Sequence, residues 1–315
     1  MIVDSVKKGL LLGLNTTWSL GKVIFPVTLI VTVLQYTPVL PFIINLIAPL
    51  MNLIGLPGDA AIPLVLGNFL NLYAAIAGIL TLDLTVKEVF IIAMMLSFSH
   101  NLLIESGVAM KTGVKLWVIL TVRIGLALLS AVVINLVWQG GSEMAQGTAI
   151  GEAAAEINGT GAILLHGVIQ ALSGIGQLAV IVIPLMVAVQ IMKDLKWLEA
   201  FSKSLAPFMK VLGMKPNASM PFVTGLTLGL AYGAGVMIQA AKEDNVSKKD
   251  MTIAFIFLVA CHAVVEDTLI FIPLGIPVLP LLLIRLLTAI VLTMVVAYIW
   301  NRTDRVQRKE AVYEQ

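Results

Sequence analysis

Long apolar runs separated by short polar or charged breaks dominate this 315-residue chain. They fall at about residues 10–37, 59–80, 88–104, 114–138, 161–192, 216–240, 251–272 and 277–300. A helix that crosses a bilayer needs about 20 apolar residues, so each run predicts a membrane helix, with 88–104 slightly extended at its ends. Two of the runs are interrupted. Pro63, Gly67 and Gly78 break the second, and Pro221, Gly225, Gly229, Gly233 and Gly235 break the sixth. Such breaks predict spans that bend, because non-helical backbone survives at membrane depth only where protein or a wet cavity covers it.

The interrupted runs are copies of one another. Pro49, Met51, Gly55, Ala60, Pro63, Val65, Gly67, Leu70 and Leu72 recur 158 residues later as Pro207, Met209, Gly213, Ala218, Pro221, Val223, Gly225, Leu228 and Leu230. The same offset relates Gly9 to Gly167, Leu14 to Leu172, Pro26 to Pro184 and Val31 to Val189. After an insertion near 238–246 the offset becomes 162, pairing Lys87 with Lys249, His100 with His262, Leu120 with Leu282 and Arg123 with Arg285. A proline- and glycine-interrupted segment present in both halves of a membrane chain points to a transport site.

Charge turns this repeat into a topology. The 139–160 loop holds Glu143, Glu152 and Glu156 and no Lys or Arg. By contrast 193–215 holds Lys193, Lys196, Lys203, Lys210 and Lys215, the tail Arg302, Arg305, Arg308 and Lys309, and the N-terminus Lys7 and Lys8. Positive charge stays on the cytoplasmic side, which places both termini and 193–215 inside and 139–160 outside. Three full crossings between 193–215 and the tail would leave the tail outside, so 216–240 is expected to enter and return. By the same logic 59–80 is re-entrant from the outside. The expected fold is an all-α polytopic membrane protein of two inverted repeats, each with three crossings and one re-entrant hairpin. The domains are then residues 1–138, a linker at 139–160, 161–300, and a basic tail at 301–315. Residues 196–213 place Trp197, Leu198, Phe201, Leu205, Phe208 and Met209 largely on one side and Lys196, Lys203 and Lys210 on another, which predicts an interfacial helix.

Composition narrows the class further. Hydrophobic residues make up 59% of the chain and charged residues 12%, with a mean hydropathy of +1.00; soluble chains carry roughly 25% charged residues. The lone Cys261 excludes an intrachain disulfide or a thiolate metal cluster. The first residues, MIVDSVKKGLLLGLNTTW, lack a small-residue cleavage site and are expected to be retained. The chain holds no Walker sequence, GxGxxG, zinc signature or catalytic triad. It is therefore expected to be neither an enzyme nor a nucleic-acid binder, with no cofactor and no metal site.

Polar groups inside apolar runs are the candidate chemistry. Asn68, Asn71 and Tyr73 lie in the first interrupted run and Thr224, Thr227 and Tyr232 in the second. Asn68 and Asn71, like Thr224 and Thr227, are spaced to share a helical face, and amides and hydroxyls suit a polar uncharged solute. His100 is followed by Glu105, and His262 by Glu266 and Asp267. A histidine and a carboxylate across one turn would titrate near neutrality and couple transport to protons. Substrate binding is thus assigned to Asn68, Asn71, Thr224, Thr227, His100 and His262, and ion coupling, by H+ or Na+, to Glu105, Glu266 and Asp267. Pro63, Gly67, Pro221 and Gly225 are the hinges. Arg123 and Arg285 lie close enough to a helix end to snorkel, or to form structural ion pairs with Glu105 or with Glu266 and Asp267. Lys22 reads as a snorkelling lysine.

The duplicated pattern of Gly55, Ala60, Pro63, Gly67 and Gly213, Ala218, Pro221, Gly225 resembles the Gate, or nucleoside-recognition, family. That domain is shared by spore maturation proteins A and B, concentrative nucleoside transporters and the membrane part of ferrous-iron transporter B. The resemblance implies that hairpins and adjoining unwound helices hold the solute, at Asn68, Asn71, His100, Glu105, Thr224, Thr227, His262, Glu266 and Asp267. The chain departs from the iron transporters in having no GTPase domain and no cysteine in its interrupted runs, and from the nucleoside transporters in length. The expectation is a multi-pass secondary transporter of a nucleoside-like solute in a bacterial inner membrane. A non-transporting membrane partner and a divalent-cation permease are the alternatives, and a homo-oligomer is left open.

Overall fold

In the computed structural model, residues 2–145, 159–242 and 246–313 are described. Glu152 and Glu156 lie outside the described residues, as do the side chains of Val31, Val189, Lys193, Leu198, Arg305, Arg308 and Lys309. The described chain is helical, with no strand beyond a single bridge between Thr85 and Met144. In order the helices are α1 (Ile2–Gln35), α2 (Val39–Leu53), α3 (Ala61–Phe69), α4 (Leu72–Ile79), α5 (Val86–Ser99), α6 (Leu102–Lys111) and α7 (Leu116–Val137). They continue as α8 (Thr160–Asp194), α9 (Trp197–Leu205), α10 (Ser219–Tyr232), α11 (Ala234–Lys242), α12 (Lys248–Ala260), α13 (Glu266–Leu269) and α14 (Val278–Tyr313). Among the described residues three spans, Val86–Lys111, Leu116–Val137 and Val278–Thr303, are long and apolar enough to cross a membrane, or four if the bent pair Asn45–Leu53 and Gly58–Phe69 counts as one.

α7 and α14 show in their side chains what lipid contact requires. Ile119, Arg123, Ala127 and Ala131 are buried at every fourth position of α7, and Leu281, Arg285, Ala289, Thr293 and Ala297 do the same in α14. Around that narrow inward stripe the residues are large, apolar and exposed, among them Leu129, Leu136 and Val137, and Leu287, Val291 and Ile299. A helix apolar on its solvent side is stable only where that solvent is hydrocarbon.

The chain folds as two units, the first comprising Met1–Leu103, Ile124–Leu195 and Glu266–Leu281. Its frame is α1 against α8. A Cβ on Gly9 would meet the Val187 Cα at 2.5 Å, one on Gly13 the Ile183 Cα at 2.8 Å, and one on Gly167 the Leu29 Cδ1 at 2.7 Å. As the position on α1 rises, the position on α8 falls, so the helices are antiparallel. Small residues permit such close backbone approach, the usual way helices associate without a hydrophobic drive. At the foot of the pair the Ser5 hydroxyl donates to Asp194 at 2.6 Å; that bond, followed by one from Gln190, holds the Asp194 carboxyl below its usual range. Near the other chain segments of this unit, Gly55 takes φ +78 and its ideal Cβ would strike the Asn135 side chain at 2.2 Å. Lys87 donates to the Asn135 carbonyl at 3.0 Å. Lys22 stands over the Trp18 ring at 5.5 Å.

The second unit comprises Ile104–Arg123, Lys196–Val265 and Leu282–Gln315. Here α10 packs on α9, α11 and α12, with Phe222 and Phe257 rings 4.8 Å apart. Gly213 repeats the feature of Gly55, with φ +80 and the Ala297 Cβ 2.4 Å from where its own would stand. Lys249 donates to Asn301 at 2.7 Å. The interfacial helix expected over 196–213 is shorter in the structure. It ends at Leu205, because Pro207 follows and Ala206–Lys210 tightens into a 3-10 turn.

These contacts give a paired stability test. Gly9→Val would collide with the α8 backbone, and overpacking of this kind costs about 1–3 kcal/mol. Gly176, also on α8, has nothing within 4 Å of its ideal Cβ. Thermal unfolding in detergent is expected to show a clear loss for Gly9→Val and none for Gly176→Ala.

Candidate functional site

Both interrupted runs double back. In the first unit α3 and α4 form a helical hairpin: a Cβ on Gly67 would lie 3.0 Å from that of Ala75, and one on Gly78 3.3 Å from the Pro63 Cα. The chain reverses at Leu70 (φ −106, ψ −86) and the extended Asn71. Asn71 then caps α4, its Oδ1 accepting from the Ala74 N–H at 2.9 Å. The expected shared face of Asn68 and Asn71 is therefore not formed, because the reversal lies between them. Asn68 donates to the Leu64 carbonyl one turn back. In the second unit the break falls at Gly229, with φ 81 and ψ 174 inside α10. Gly225 lies against Met237 beyond the turn, its ideal Cβ 2.4 Å from the Met237 Cε. Thr224 and Thr227 share one helical segment, donating to the Met220 and Val223 carbonyls. Thr224 is buried while Tyr232 is exposed.

Each hairpin holds the end of a broken helix. α5 stops at Ser99, and Asn101 turns to φ 52; α12 stops at Ala260, and Ala263 turns to φ 40. The freed backbone is satisfied by the hairpin of the same unit. Asn101 N donates to the Gly67 carbonyl at 2.7 Å, and Ala263 N to the Gly225 carbonyl at 3.1 Å. Glycine eases the close approach at both acceptors: the Leu96 and Leu258 side-chain ends stand 2.4 and 2.6 Å from an ideal Cβ there and would have to shift for a larger residue. These are matched positions of the two copies, so the expected hinges Gly67 and Gly225 serve as docking points for a broken helix. Pro63 and Pro221 are buried on the rising arms of the hairpins.

The histidines stand at these breaks, and their partners differ from the expected ones. His262 and Glu266 were expected to share a face if the helix continued, and His100 and Glu105, five apart, to match less well at a local break; α5 does end at Ser99, and α12 ends at Ala260. The pairing is crossed. In the first unit His100 Nε2 lies 4.0 Å from Asp267 Oδ1, and in the second His262 Nε2 lies 3.3 Å from Glu105 Oε1. The 162-residue offset maps Glu105 onto Asp267, so the crossed pairs are equivalent in the repeat. Each histidine also places Nδ1 2.7 Å from a carbonyl one turn back, Leu96 for His100 and Leu258 for His262. A carbonyl only accepts, so Nδ1 carries the hydrogen and Nε2 faces the carboxylate.

The arginines do not snorkel. Both are fully buried on the inward stripes of their helices. Arg123 Nη2 lies 2.9 Å from Glu105 Oε2, within the second unit. Arg285 Nη2 donates to the His262 carbonyl at 2.9 Å, capping the broken end of α12. Glu105 is thus held between Arg123 and His262. One partnership was not anticipated: Tyr73, buried on α4, donates to Glu266. The repeat contains a clue to it, since Glu266 stands where the first copy has Ile104, marking it as an added charge.

Broken apolar helices, buried carboxylates and a pair of helical hairpins define an all-helical membrane protein of transporter-like build. A family model described as Gate: Nucleoside recognition matches residues 17–116 and 175–299, and the chain belongs to this family. The chain is 63% identical over 294 residues, 93% of its own length and 94% of the relative's, to the Bacillus subtilis (strain 168) protein named "Uncharacterized membrane protein YvoD". No solved structure matches the chain.

Backbone at the second break supplies a test. Gly229 occupies a region essentially reserved for glycine, so Gly229→Ala should cost about 1–3 kcal/mol. Ala263 carries a side chain in the left-handed region at φ 40, and Ala263→Gly should raise the unfolding temperature.

Proposed function

We propose that the chain is a proton-coupled secondary transporter of a small polar solute of the nucleoside class. Six crossings and two re-entrant hairpins, arranged as inverted repeats over 1–138 and 161–300, would give alternating access in a bacterial inner membrane with both termini cytoplasmic. The antiparallel α1–α8 pair supports the inversion: Gly9 meets Val187 and Leu29 meets Gly167, and each contact maps onto the other through the 158-residue offset. Membership of a family described by nucleoside recognition supports the solute class.

The observation that carries the coupling is the proton inventory of His262 and Glu105. With a hydrogen already on Nδ1, a neutral His262 would turn its Nε2 lone pair toward a carboxylate 3.3 Å away. Two acceptors in a buried site repel, and one proton between them, on either partner, removes the conflict. The pair is then a one-proton holder, with Arg123 supplying the fixed positive charge that retains Glu105 when the proton leaves. His100 and Asp267 form the equivalent pair. In this mechanism the polar groups of the hairpins, Asn68, Asn71, Thr224 and Thr227, meet the solute, while Tyr73 on α4 holds Glu266. Proton release at one pair and uptake at its counterpart would alternate as the hairpins exchange access.

The test is uptake of labelled uridine and adenosine into proteoliposomes under an inward proton gradient. The expected result is saturable accumulation of at least one nucleoside that a protonophore abolishes. Glu105→Gln should reduce gradient-driven accumulation on the order of tenfold or more, because its proton site is gone, while exchange at equal pH persists. Absence of uptake and binding for both nucleosides would overturn the solute class. Accumulation by Glu105→Gln equal to that of the unaltered protein would overturn the coupling site.

A further inference from the structure

We propose that the segment from Lys196 to Lys210 in the second unit is a binding site for anionic phospholipid headgroups. The segment has three distinct sides. One closes on the protein: Ser202 is buried, its hydroxyl 3.1 Å from that of Ser219, and Met209 is fully buried. A second leaves Trp197, Phe201 and Phe208 uncovered at 55%, 40% and 58% exposure. The third carries Lys196 and Lys203, two helical turns apart and both exposed, continued by the exposed Lys210 in the 3-10 turn.

Among the described residues these aromatics stay exposed, and aromatics flanked by lysines are the composition of a segment lying at the boundary of headgroups and acyl chains. Charge selects the lipid. Three lysines stand against one acidic residue, Glu199, over 196–210, so a zwitterionic headgroup leaves the stripe unneutralised and an anionic one does not. Pro207 contributes by ending the helix early: the chain tightens after Leu205, which turns Met209 inward while Phe208 and Lys210 stay at the surface. The three lysines are exposed, so the site responds to the lipid content of the bilayer.

The experiment uses the full chain in detergent, titrated with phosphatidylglycerol or phosphatidylcholine of identical acyl chains, with sn-glycerol phosphate as a separate arm. Bound lipid is counted by native mass spectrometry. Phosphatidylglycerol is expected to bind preferentially, and added salt to weaken the preference. Each lysine near an anionic surface contributes about fivefold, so K196Q/K203Q/K210Q should lower the preference by at least about tenfold, whereas E199Q should raise it. Retention of the unfolding temperature by the triple variant shows that the fold is unaltered. Equal binding of the two lipids, an unchanged preference in the triple variant, or equivalent binding of free glycerol phosphate would overturn the proposal.

Discussion

A helix that breaks inside a membrane leaves backbone N–H and C=O groups where water cannot satisfy them, and this structure is arranged around meeting that demand. Asn101 and Ala263 carry the freed N–H groups, and the carbonyls of Gly67 and Gly225 receive them. His100 and His262 each spend Nδ1 on a carbonyl one turn back, and Arg285 takes the carbonyl of His262 itself. The hairpins therefore do more than bend: each is docked on a broken helix through its own backbone, at a glycine whose close side-chain neighbours leave little room for a Cβ. Residues of chemical interest end up at the breaks because backbone and side chains open together there.

The crossed pairs follow from the same constraint. Because α5 and α12 stop at their histidines, the following carboxylates leave the register of the histidine's helix and find the histidine of the other copy. Glu105 reaches His262 and Asp267 reaches His100, positions that the repeat makes equivalent. A buried carboxylate needs compensation, and Arg123 supplies it to Glu105 from a helix stripe that is otherwise apolar. Removing either partner alone would leave an uncompensated buried charge, which explains why an arginine sits at full burial in an apolar helix. The two copies are not identical in charge. Glu266 and Tyr73 form a contact whose counterparts, Ile104 and Ala231, are apolar.

Much of this was readable beforehand, and the limits are physical. The helical membrane class followed from the apolar runs, and the hairpins from proline and glycine in the middle of 59–80 and 216–240. Positions that would matter were marked by the repeat: Gly67, Gly225, His100, His262, Arg123 and Arg285 are all matched pairs. Of the partners, the Arg123–Glu105 ion pair was readable as the alternative to snorkelling, and the histidine partners were not. Spacing along the chain pairs His262 with Glu266, and only the backbone turn at Ala263 shows that the helix ends first. The burial of Arg123 was equally hidden, since depth along a helix suggests snorkelling while the facing of a stripe decides it. The Asn68–Asn71 face failed for the same reason as the histidine pairs, a chain reversal between two residues that a continuous helix would have aligned.

A double-mutant cycle in detergent-solubilised protein tests the crossed arrangement most directly. Unfolding free energies would be measured for His262→Ala, Glu105→Gln and the combination. Residues in contact couple by about 0.5–3 kcal/mol, whereas independent sites add within about 0.5 kcal/mol. The structure predicts coupling of about 1 kcal/mol or more for His262 with Glu105. Additivity in this cycle would contradict it.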